Sequence, residues 1–69
     1  MLQIRLEIEE RLSPRWSEAF DGLTIEHRPG PGGAVISGLA EDYASLYGVL
    51  GSCRDLGLRI RFLEVEENA

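Results

Sequence analysis

The sequence predicts a small α+β fold, and three patterns carry that expectation. Leu2, Ile4, Leu6 and Ile8 alternate with Gln3, Arg5, Glu7 and Glu9 at the period of a half-buried strand. Two further β-type runs flank the Pro/Gly segment at residues 29–33. Leu46, Val49, Leu50 and Cys53 recur at helical spacing before a last apolar run. In chain order these give β-α-β-β-α-β, expected as a two-layer ferredoxin-like sandwich in which two helices, the first short, cover one sheet face. The alternative is a three-stranded meander followed by a helix and a fourth strand, because residues 11–22 barely reach the dozen or so that a crossover needs.

Taken in order, residues 2–10 form the first strand. Ser13 and Pro14 open a helix, since the serine side chain can cap free amides and proline tolerates the first helical position. Trp16, Ala19 and Phe20 share one face of that helix and are expected over the sheet, and Gly22 ends it in the left-handed conformation. Leu23, Ile25 and His27 alternate with Thr24, Glu26 and Arg28, and residues 34–39 return as the second arm of a hairpin with a protruding loop. That loop is a natural contact surface.

Acidic Glu41 and Asp42 favour a helix start, so the main helix is expected over residues 41–56. Gly57 stands where a C′ glycine belongs, and Leu58 can fold back onto Cys53 in a Schellman stop. In the strand expected over residues 58–66, Leu58, Ile60 and Phe62 occupy one parity while Leu63 and Val65 occupy the other, as a bulge would arrange them. Arg59 and Arg61 would complement Glu7 and Glu9 if the first and last strands pair. Residues 66–69 are expected to fray.

With 69 residues the chain is expected to be one domain, residues 1–69, with a thin core and one Cys that cannot close an internal disulfide. Oligomerisation is the usual remaining support for so small a unit. Twelve acidic residues against seven basic ones give a formal charge of −5, which opposes binding to a phosphate backbone. No apolar run approaches the roughly 20 residues of a membrane span and no charged segment followed by an apolar one opens the chain, so a cytoplasmic location is expected. All basic residues are Arg, which removes lysine chemistry.

His27 is the one side chain whose ordinary titration lies near neutrality, and no partner motif accompanies it. Cys53 lies on the apolar stripe and reads as core filler. One His, one Cys and scattered carboxylates do not make a metal set, and the glycines at 30, 32 and 33 precede neither a helix nor a lysine, so no metal and no cofactor is expected. Ala44, Gly48 and Ser52 form a stripe of small residues on the main helix, where another backbone would come close: the first helix or a second subunit.

The runs Trp16-Ser17-Glu18-Ala19-Phe20-Asp21-Gly22-Leu23-Thr24-Ile25-Glu26-His27, Asp42-Tyr43-Ala44-Ser45-Leu46-Tyr47-Gly48-Val49-Leu50 and Arg54-Asp55-Leu56-Gly57-Leu58 resemble a family of short uncharacterised bacterial proteins with no assigned activity. The resemblance spans most of the chain and implies a stand-alone bacterial protein of this length. The chain departs from the family pattern at Tyr43, where Gln is frequent, and at Tyr47, where His is frequent, so a shared histidine function at position 47 is not implied. The leading expectation is a non-enzymatic protein–protein interaction or regulatory module, homodimeric, with a separate protein partner also open. The alternative is a small-ligand sensor with Trp16, His27, Tyr43 and Tyr47 lining its pocket.

Overall fold

The computed structural model describes residues 1–30 and 32–67. Strand β1 (Leu2–Ile8) is followed by a 3-10 helix (Pro14–Phe20), a hairpin of β2 (Thr24–His27) and β3 (Ala34–Ala40), helix α1 (Tyr43–Asp55) and β4 (Ile60–Glu67). The strands form one antiparallel sheet in the order β2-β3-β1-β4. Each crossover therefore spans one intervening strand, the split βαβ arrangement, and the meander alternative is excluded because β1 and β2 are not neighbours. The expected α+β sandwich stands.

Local chemistry explains most of the element ends. Ser13 Oγ accepts from the Arg15 amide at 3.2 Å and Pro14 follows it, as expected, but the helix they open is of the tighter 3-10 type. It stops where Asp21 (φ 56°) and Gly22 (φ 76°) both turn left-handed, so the stop is shared with an aspartate, whose short polar side chain tolerates that region. Asp42 caps α1 by accepting from the Ser45 amide at 2.9 Å. At the other end the Leu58 amide donates to Cys53 O (2.9 Å) and the Gly57 amide to Arg54 O (3.0 Å), the Schellman pattern, with Leu58 packed against the core cluster that holds Cys53.

The register between β1 and β4 shifts between Glu7 and Ile8, which pair with Phe62 and Ile60 and leave Arg61 as the extra residue. A bulge is what the parity switch anticipates, but it lies at Arg61, one step before the switch after Phe62, so Phe62 does not share a face with Ile60 as expected. It sets Ile60, Leu63 and Val65 on the sheet face that carries the helices, opposite Ile8, Leu6 and Ile4, and turns Phe62 to the open face. The pairing of β1 with β4 is as expected, but its ion pair is not: Arg59 engages Glu10, Nε to Oε2 at 2.9 Å and amide to Oε1 at 2.9 Å, while Glu7 is held by Arg5 and Arg28. Glu66 belongs to β4 and is not frayed; residues 68–69 and Pro31, at the expected loop tip, lie outside the described residues.

The core lies between the sheet and the two helices. Leu6, Ile8, Phe20, Leu23, Ile25, Ile36, Val49 and Cys53 form the larger cluster, and Leu2, Ile4, Ala40 and Leu46 the smaller. Gly38, in the middle of β3, has φ 145°, and a Cβ there would meet Leu23 Cδ2 at 2.9 Å, so only glycine lets the 3-10 side pack down onto the strand. Strand β4 contributes just the half-buried Val65. Trp16, expected over the sheet with Phe20, is instead 46% exposed, because a 3-10 helix nearly eclipses residues three apart and Phe20 alone takes the buried side.

Candidate functional site

The fold scatters the residues singled out in the sequence. His27 sits exposed at the end of β2, where its Nδ1 lies 3.0 Å from an Arg11 guanidinium nitrogen. Since Arg only donates, Nδ1 is the acceptor in that contact. Tyr43 and Tyr47, one turn apart on α1, have ring centroids 6.4 Å apart, and the Tyr43 hydroxyl donates to Glu67 of β4 at 2.6 Å. That bond to a carboxylate, followed by some desolvation, raises the Tyr43 pKa above the usual phenol value. His27 and Tyr43 are thus at opposite edges of the sheet, and the four aromatic candidates do not line one pocket.

The small-residue stripe divides in the same way. The Ser52 hydroxyl donates to the Ala19 carbonyl at 3.1 Å, which brings α1 against the 3-10 helix at that point. Ala44 and Gly48 face outward, and a Cβ on Gly48 would meet nothing within 4 Å, so among the described residues no other backbone approaches it. Cys53 is fully buried and burial pushes its thiol pKa up, which suits core filler. Among the described residues no group of three His, Cys, Asp or Glu is placed to hold a metal ion, and no helix is long and apolar enough to cross a membrane.

A cleft of about 460 Å³ opens between the start of α1, the end of β3 and the turn before β2, lined by Met1, Asp21, Leu23, Leu39, Glu41 and Val49 among others. None of Trp16, His27, Tyr43 or Tyr47 lines it.

The most distinctive surface is one that the sequence reading missed. Along β4, Ile60 and Phe62 are each 44% exposed and Leu63 40%, although β4 pairs along its length with β1, whose Leu2, Ile4, Leu6 and Ile8 are all buried. Ile60 and Leu63 are exposed on the helix side because neither helix reaches over them, and Phe62 is exposed on the open side. At the Glu67 end of β4 stands Tyr43, whose hydroxyl bonds Glu67, with the 66%-exposed Tyr47 beside it. The available signal was apolar residues on both parities of one strand; it announced the bulge but not the exposure, which depends on where the helices lie.

A family model described as "Domain of unknown function (DUF8691)" matches residues 3–64, from β1 into β4, and the chain belongs to that family. No curated protein and no solved structure matches the chain.

Proposed function

We propose that this member of a family of unknown function is a non-enzymatic protein–protein interaction module that works in the cytoplasm as a homodimer. The observation that carries the reading is the uncovered β4 strip: large apolar side chains exposed on both faces of an outer strand, next to a pair of exposed tyrosines. Contiguous exposed apolar surface on a small domain marks an association site, and an outer strand offers unpaired backbone groups as well. The net charge of −5 favours a protein over a nucleic acid as partner. Sedimentation velocity of the untagged chain from micromolar to millimolar concentration is expected to show dimer replacing monomer. A monomer throughout that range overturns the homodimer.

The cleft favours a second reading, binding of a small ligand. Its apolar Leu23, Leu39 and Val49 with Asp21 and Glu41 at the rim suit a small molecule with an apolar body and a cationic group. Trp16 lies outside the cleft, so its fluorescence is not the readout. Native mass spectrometry of freshly purified protein would show an added mass that Leu39→Glu removes, and a bare chain counts against this reading.

A further inference from the structure

We propose that the partner of the β4 edge is the β4 edge of a second copy, paired antiparallel about a two-fold axis at Leu63, which joins the two four-stranded sheets into one. The proposal deepens the association reading above and rests on it. Two outer strands are available. β2 has four residues and is followed by the Pro/Gly loop, whereas β4 has eight. The β4 bulge lies at Arg61, so Phe62–Glu67 runs in regular register against β1, and an axis at Leu63 pairs the central Phe62–Glu64 regularly while Val65–Glu67 lie along the bulged start of the other copy.

The register follows from symmetry and charge. A two-fold axis perpendicular to a sheet pairs residues that point to the same face, so in a regular strand it must pass through a residue and not between two. The middle of β4 falls between Leu63 and Glu64. An axis at Glu64 sets that carboxylate against its own copy, which like-charge pairing disfavours. An axis at Leu63 sets Leu63 against Leu63 on the helix side and Phe62 opposite Glu64 on the open side. The same axis lays the basic end of each strand, Arg59 and Arg61, along the acidic end of the other, Glu66 and Glu67. Arg61, Glu64 and Glu66 form no ion pair among the described residues, so their charges are not already matched within the chain. The uncovered Ile60 and Leu63 side chains of the two copies become neighbours between the two α1 helices, where they leave water.

The test compares Leu63→Glu, Leu63→Cys and Gly48→Leu with the wild-type chain. Leu63→Glu places two carboxylates on the axis and is expected to weaken the dimer about tenfold or more while circular dichroism and melting of the monomer stay near wild type. Leu63→Cys is expected to yield a covalent dimer under mild oxidation, since opposed residues of an antiparallel pair lie within disulfide reach and Cys53 is buried. Gly48→Leu is expected to leave the mass unchanged. A dimer that survives Leu63→Glu but dissociates in Gly48→Leu overturns the β4 seam and leaves the association reading standing. A wild-type monomer at every concentration, with no cross-linking of Leu63→Cys, overturns both.

Discussion

The two outer strands of this sheet differ in what lies over them. At the β2 edge the 3-10 helix brings Phe20 into one cluster with Leu23 and Ile25, all buried, and four residues of strand suffice. At the β4 edge eight residues run with Val65 alone half-buried. The difference traces to helix type. A seven-residue 3-10 helix spans about 14 Å at its rise of about 2.0 Å per residue, whereas seven residues of strand span about 23 Å at about 3.3 Å. The first crossover therefore covers its own corner, α1 covers the middle, and nothing remains for β4. The lesson is that one short helix leaves an expected core strand uncovered.

The chain's two phenylalanines test that contrast most strongly. Phe20 is 0% exposed and Phe62 44%. Phe20→Ala is expected to cost about 3–5 kcal/mol and to unfold so small a domain, whereas Phe62→Ala is expected to cost under about 1.5 kcal/mol in the monomer. Urea unfolding followed by circular dichroism measures both, and equal costs would break the comparison. Gly38→Ala comes next: its Cβ strikes Leu23 at a φ that L-residues rarely adopt, so a loss of about 1–3 kcal/mol is expected in the same assay.

Gly48→Ala should act in the opposite direction. With open space around its Cβ, removing glycine from a helix interior is expected to stabilise the monomer by up to about 1 kcal/mol, read as a higher urea midpoint at dilution. Destabilisation there would mean that something packs on the outer face of α1. The smallest effect concerns the clasp that starts β4. The Arg59 amide and guanidinium hold the Glu10 carboxyl below its usual pKa, so its contribution is present above the unfolded-state value and is lost as pH falls through the lower folded value. Glu10→Gln is expected to flatten the part of the melting-temperature decline that this carboxylate supplies as pH falls below the ordinary glutamate range, read by melting across acidic buffers.

Much of the fold was legible because its signals are local. The alternation from Leu2 to Ile8, the Ser13–Pro14 opening, the acidic start of α1, the Gly57–Leu58 stop and the presence of a bulge in β4 each depend on residues within one turn or one strand. The candidate site was legible only in part. Tyr43 and Tyr47 adjoin as their one-turn spacing implies, but the Tyr43–Glu67 bond spans 24 positions and the Arg11–His27 contact spans 16, separations at which no local pattern speaks. Trp16 departs from its expected place because a spacing of four puts it on the face of Phe20 in an α-helix but not in this 3-10 segment.

By itself, then, the sequence determined the order and ends of the elements, the α+β class, and that Leu46, Val49 and Cys53 face inward, since each of these follows from backbone sterics, capping and periodicity within a short segment. Tertiary structure decided the strand order, the exposure of Trp16 and Gly48, and the bare apolar β4 edge. Those depend on how far each helix extends across the sheet, and that is a property of the packed whole.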